Sequence, residues 1–158
     1  MKTKQLPPAI QAHIDAGGAD LLDGYIRFIK PQDTASFMSL LSGKAFWESD
    51  IPFATTAFGD ILAWNVDGYI QLYRLVDGTS SIMMADDKFF FEDVNDEAFQ
   101  KDYFDVTLFR DAEKLLGKLN PGQCYAFEPL PALGGAKDLK SAKITPLLPY
   151  VALMIDLA

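Results

Sequence analysis

Between Phe53 and Met84 the chain passes through four short apolar or alternating runs, Phe53 to Phe58, Ile61 to Asn65, Tyr69 to Leu75 and Thr79 to Met84. They are separated by Gly59-Asp60, Asp67-Gly68 and Asp77-Gly78. A hairpin turn needs positive φ angles, which most side chains disfavour, and Asp-Gly between apolar runs is the strongest local signal that one forms. The spacing predicts an antiparallel meander over about 53–84.

The flanks change period. From Leu6, Pro7-Pro8 at a helix start is followed by Ala9, Ile10, His13 and Ile14 on one face, ending at Gly17-Gly18. A short strand is expected from Tyr25 to Ile29, before Pro31. Asp33 or Thr34 then caps a helix with apolar Phe37, Met38, Leu40 and Leu41, closing at Gly43. After Ala85, Asp86 is expected to cap a segment through Val94 and Asp96 one through Lys101, followed by a helix from Thr107 to Leu116. Pro121-Gly122 marks a turn, Cys124 to Phe127 a strand, and Pro129, Pro131 and Gly134-Gly135 a long loop. A closing helix is expected from Thr145 to Leu157, with Pro146 in its first turn and Pro149 kinking or delaying it. The expected fold is α+β: the central antiparallel meander, plus strands near 25–29 and 124–127, flanked by N- and C-terminal helices. No composition break marks a linker, so residues 1–158 read as one domain, long enough to bury about 70% of its extended-chain surface.

Chemistry is harder to find. The formal net charge of -8 disfavours nucleic acid and anionic membranes as partners. With one His and one Cys there is no imidazole or thiolate metal site, and the acids do not follow a calcium-loop spacing, so no metal and no cofactor is expected. His13 has no serine or cysteine beside it and reads as a helix-flank histidine. Cys124 has no basic neighbour to stabilise a thiolate and reads as structural. Asp86-Asp87, Glu92-Asp93 and Asp96-Glu97 are adjacent pairs, whose side chains diverge on a helix instead of converging on one atom. The glycine pairs lack a nucleotide-loop context. No catalytic residue is expected. The absence of a secretion signal or a membrane-spanning run, with the lone cysteine, points to the cytoplasm.

One stretch stands apart. Asp86 to Asp105 holds eight acids against Lys88 and Lys101, and so carries most of the net charge. It also holds Phe89, Phe90, Phe91, Phe99, Tyr103 and Phe104. Three consecutive Phe side chains on a helix spread around about 200° and cannot all face one core. The stretch is either a docking surface for a basic protein, acids ringing aromatic anchors, or a solvated acidic face over an aromatic core.

Several blocks in order resemble one family. DIPFATTAFGDILAW (Asp50 to Trp64), DGYIQLYRL (Asp67 to Leu75), FFFEDVNDEAFQKDYFD (Phe89 to Asp105), LFRDAEKLLGKL (Leu108 to Leu119) and CYAFEPLPALGG (Cys124 to Gly135) resemble the C-terminal domain of type VI secretion immunity proteins. The weaker N-terminal part, residues 1–48, is similar to the opening of the SUKH-type immunity fold. The resemblance implies a protein without catalysis of its own, which neutralises a cognate toxin, typically a nuclease, by covering its basic surface. Read on the acidic stretch itself, the expected toxin-contacting residues are Asp86, Asp87, Glu92, Asp93, Asp96, Glu97 and Asp102, with Phe90 or Phe91 as anchor. A competing reading is a small-ligand-binding or enzymatic domain with a cleft beside the sheet, using Thr55, Thr56, Asp60 and Arg74. Oligomeric state is open, because PLLPYVALMIDLA can close the core or pair with a second chain.

Overall fold

The computed structural model describes residues 5–41 and 50–157. In chain order the elements are α1 (Pro8–Asp15), β1 (Ile26–Phe28), α2 (Thr34–Leu41), β2 (Asp50–Thr56), β3 (Ile61–Asn65), β4 (Tyr69–Arg74), β5 (Thr79–Met84), α3 (Phe90–Asp93), α4 (Glu97–Tyr103), α5 (Val106–Leu116), β6 (Gln123–Phe127), β7 (Ala142–Pro146) and α6 (Leu147–Leu157), with short 3-10 turns between some of them. The fold is α+β. Strands β1 to β5 form one antiparallel sheet in chain order, and β6 pairs with β7 in a second, two-stranded sheet.

The expected meander is present, but its turns are looser than the two-residue type. Three or four residues link the strands, and only the glycines, Gly59, Gly68 and Gly78, take positive φ there. A two-residue type I′ turn needs both central residues at positive φ, and a longer loop moves that demand onto the glycine alone. β2 is buried along its whole length and β3 nearly so; β3 is apolar up to Asn65, while β2 buries Asp50, Thr55 and Thr56 at its two ends. Ile10 and Ile14 of α1, Phe37 and Leu41 of α2, Phe109 and Ala112 of α5 join the sheet in one core.

Two C-terminal expectations change. Cys124 to Phe127 is not a strand of the central sheet. It ladders with β7, and Tyr125 N–H meets the central sheet only at the β2–β3 turn, donating to the Ala57 carbonyl at 2.8 Å. Ala57 N–H in turn donates to the Tyr25 carbonyl at 2.8 Å, so this turn joins the two sheets. The closing helix begins at Leu147, after a strand, and Pro149 lies in its first turn, where a missing N–H costs no helical bond. Its apolar residues close the core: Leu147, Tyr150, Val151, Met154 and Ile155 are buried. The expected end of α2 at Gly43 lies outside the described residues.

Gly135 shows why the glycine pair is needed. A Cβ there falls 1.7 Å from the Pro129 carbonyl oxygen, a backbone atom that no rotamer change moves aside. Gly135→Ala is expected to destabilise the fold by roughly 1–3 kcal/mol. Gly134→Ala, which meets no neighbouring atom but holds a φ of 93°, should cost less. Chemical denaturation of the two variants checks the order, and equal losses would refute the backbone-contact account.

Candidate functional site

The acidic stretch folds into α3, α4 and the turns around them. Asp96 caps α4, its Oδ1 accepting from Phe99 N–H at 3.0 Å, as expected. Asp86 does not cap α3; its Oδ1 accepts from Lys88 N–H at 3.0 Å in a turn, and α3 begins after Phe89. No side chain of α4 is fully buried. The helix is held by its aromatic side, Phe99 against Tyr103 and Phe104, and by Gln100 Nε2 donating to the Val94 carbonyl at 2.9 Å. That orientation leaves Asp86, Glu92, Asp93, Asp96, Glu97 and Asp102 exposed and Asp87 half-exposed. Among the described residues, the carboxylates of Asp87, Glu92, Asp93, Glu97 and Asp102 have no hydrogen-bond or ion-pair partner. Glu97 also lines a groove of about 590 Å³ between α4 and α5, with Gln100, Lys101, Asp105, Arg110 and Asp111.

The three phenylalanines separate as the geometry of a single turn requires. Phe90 is 1% exposed and packs edge-on against Phe53 in the core, so it is not available as an anchor. Phe91 is half-buried against His13 and Phe28, with ring centroids 5.1 and 6.3 Å away. Phe89, which the sequence reading left out of the anchors, is the outward one: it is 50% exposed, and Lys88 Nζ lies 5.4 Å from its ring centroid. His13 itself bonds through Nε2 to the Ala19 carbonyl at 2.8 Å and wedges against Phe28, a packing role.

The residues proposed for a cleft come together differently. Asp60 immediately precedes β3, and extending the Ile61–Tyr73 pairing by one places it opposite Arg74. Asp60 is 2% exposed. Thr56 Oγ1 donates to Asp60 Oδ2 at 3.4 Å and accepts from Asp60 N–H at 3.2 Å. Asp60 Oδ1 and Arg74 Nε are buried without a hydrogen-bond partner among the described residues. Burial pushes the Asp60 carboxyl up to about 6, against the pull of Arg74 and Lys137. Thr55 is buried too, but on β2 it pairs with Arg27 and Ile61, outside this group.

Arg74 reaches outward from the same point. Its Nη2 lies 2.7 Å from Asp105 Oδ2 and 2.9 Å from Asp77 Oδ2. Lys137 Nζ closes the ring, 2.7 Å from Asp105 Oδ2 and 3.3 Å from Asp77 Oδ1. Asp105 N–H donates to the buried Tyr25 hydroxyl at 2.9 Å. Burial by itself lowers the Arg74 guanidinium, but Asp105, Asp77 and Asp60 more than offset this and hold it above its ordinary value. The arrangement is a charge clamp fastening β4, its turn, the α4–α5 junction and the 134–138 loop together. It consumes Asp105, which therefore faces inward and leaves the acidic surface. A second buried group joins Asp50 to Asn65 and Tyr73: Asn65 Nδ2 donates to Asp50 Oδ1 at 2.7 Å and the Tyr73 hydroxyl to Oδ2. Cys124 is fully buried, and burial pushes its thiol up to about 12. Among the described residues no cluster of His, Cys, Asp and Glu is arranged to hold a metal ion, and no helix is long and apolar enough to cross a membrane.

Comparison with known proteins bears on the same segment. No curated protein matches the chain. A solved structure, the crystal structure of Atu4351 from Agrobacterium tumefaciens, superposes with a TM-score of 0.72 at 21% identity, covering 98% of this chain and 77% of that one, a likeness of fold. The family model that matches starts at Asp86, so the blocks from Asp50 to Leu75 lie outside it. Residues 86–158, from the acidic turn through α6, match the family described as T6SS immunity protein Tdi1, C-terminal.

Proposed function

We propose that the chain is an immunity protein that binds and neutralises a cognate toxin of a type VI secretion system, acting as a single unit in the cytoplasm and breaking no bonds itself. The observation that carries this is the row of exposed, unpaired carboxylates on α3 and α4, within the segment that matches the immunity family. Unpaired surface acids repel one another and contribute little to folding, so a cationic partner is the natural complement. A nuclease must present a basic surface to phosphates, and such a surface fits these acids by charge and is closed to its substrate when covered. Exposed Phe89 adds an apolar contact beside them.

The test keeps Asp96, because its cap supports α4. Glu92→Lys, Asp93→Lys, Glu97→Lys and Asp102→Lys together are expected to weaken capture of a stoichiometric basic nuclease from the native cell by at least about 100-fold. Protection of that cell should fall with it, while the melting temperature stays close to the parent's. Undiminished protection by the folded quadruple variant would remove the acidic surface from the mechanism. A strong thermal shift with a metabolite and no captured protein would favour the small-ligand reading instead.

A further inference from the structure

Strand β5 ends the central sheet, and among the described residues no strand pairs with its outer side. Among the described residues, no hydrogen bond beyond its ladder to β4 reaches Thr79 to Met84. Met83 and Met84 anchor the strand in the core, whereas Thr79 to Ile82 are exposed, Ile82 by 55%. The register irregularity lies at the Met84 end, opposite Ile70 and Gln71, so Thr79 to Ile82 keep regular pairing with Arg74 to Gln71. Proteins ordinarily blunt such an edge with lysine, proline or an inward charge, and TSSIMM contains none of these. The opposite edge, β1, is only three residues long and carries a bridge from Leu21.

We propose that the outer edge of β5 receives one antiparallel strand from a cationic protein, extending the five-stranded sheet. This rests on the reading of the chain as the inhibitor of a basic toxin and names how that partner docks. Charge selects the occupant. At the Thr79 end, Asp77 is neutralised by Arg74 and Lys137. The Met84 end runs directly into Asp86 and Asp87, with only Lys88 opposing them, and then into exposed Phe89 and the unpaired acids of α3. An antiparallel strand therefore places its N-terminal end against carboxylates and an aromatic ring, and basic residues there are matched. A second copy of this chain brings a further net charge of -8 to the same edge and is repelled. Main-chain bonds supply affinity in such strand addition, and the flanking charges supply selection.

The test uses the full chain and a soluble peptide of about eight alternating threonine and valine residues with two lysines at its N-terminal end. A control peptide carries two glutamates in their place. Amide hydrogen exchange should slow by about tenfold or more at alternate residues of Thr79 to Met84 with the lysine peptide, and hardly at all with the glutamate peptide. Ser80→Lys with Ile82→Lys, both at exposed positions, should abolish the slowing without moving the melting temperature. Slowing confined to residues 86–105 overturns the edge proposal and leaves the toxin reading standing. Equal protection by both peptides overturns the charge selection. Protection of 79–84 that grows with protein concentration and needs no peptide overturns the proposal in favour of a second copy.

Discussion

Replacing Arg74 with alanine is expected to lower folding stability by about 1–3 kcal/mol at neutral pH, less than the loss of a fully buried ion pair, because the Asp77 and Asp105 side chains it meets are partly exposed. The guanidinium faces three carboxylates of unequal burial. Asp60 lies opposite it across the sheet and is buried, while Asp77 and Asp105 meet its Nη2 at 2.9 and 2.7 Å. Without it, Lys137 still serves Asp77 and Asp105, but its contacts are confined to their side of the cluster. Most of the loss therefore falls on Asp60, already held at about 6 by burial with Arg74 present. The deficit should shrink as the pH is lowered from 7 to 5, because a carboxyl stripped of its counter-charge takes up a proton more readily in the folded state than in the unfolded one. Arg74→Lys should recover part of the loss but not all of it, since an ammonium keeps the charge but not the planar guanidinium with its five donors. Urea unfolding at the two pH values checks both statements. A deficit under about 1 kcal/mol with no pH dependence would mean the clamp behaves as an ordinary surface cluster.

What the sequence made legible was local. Asp67-Gly68 and Asp77-Gly78 between apolar runs mark their hairpins because the glycine conformation and the adjoining strands are neighbours in the chain. Asp96 announces α4 for the same reason, its bond reaching only to Phe99. β7 went unread because Lys143 and Thr145 alternate on a half-exposed strand whose pairing with β6 is decided some twenty residues away, and because Thr145-Pro146 resembles a helix start. The exposure of Phe89, in place of Phe90 or Phe91, depends on where α3 begins, a matter of one residue that periodicity over four residues does not resolve. Asp60 and Arg74 stood out as polar residues in an apolar region, but their role is set by Asp105, 31 positions from Arg74, and by Lys137, 60 positions from Asp77. Nothing in local sequence links those residues, so a structural clamp resembled a ligand cleft. The candidate docking face, by contrast, was visible as a concentration of charge, since exposure of acids needs no long-range partner to specify it.

Asp60→Asn should remove the pH dependence of stability that burial of this carboxyl imposes between about pH 4 and 7. The Asp60 carboxyl is raised from an ordinary 3.8 to about 6 by burial, so the folded state binds its proton more tightly than the unfolded chain does. Its contribution is therefore fully favourable below about pH 3.8 and is lost as the pH rises through 6. Above that, the ionised group opposes folding by roughly 3 kcal/mol relative to its protonated form. Asparagine fills nearly the same volume, keeps an oxygen for Thr56, and cannot ionise. The variant loses an attraction to Arg74, but that guanidinium retains Asp77 and Asp105. At pH 7 the variant should equal or exceed the native stability by up to about 2 kcal/mol, and the advantage should vanish as the pH falls toward 4. The comparison cancels the titration of every other group, because only Asp60 differs between the two proteins. Urea midpoints taken at intervals from pH 4 to 7.5 give the difference directly, and a flat difference across that range would place Asp60 in contact with water. Because Asp60 is remote from the exposed acids of α3 and α4 in both burial and bonding, binding of a basic partner should be unchanged. A stability gain bought at the expense of binding would mean instead that the buried clamp, through Asp105 at the α4–α5 junction, helps set the position of the docking face.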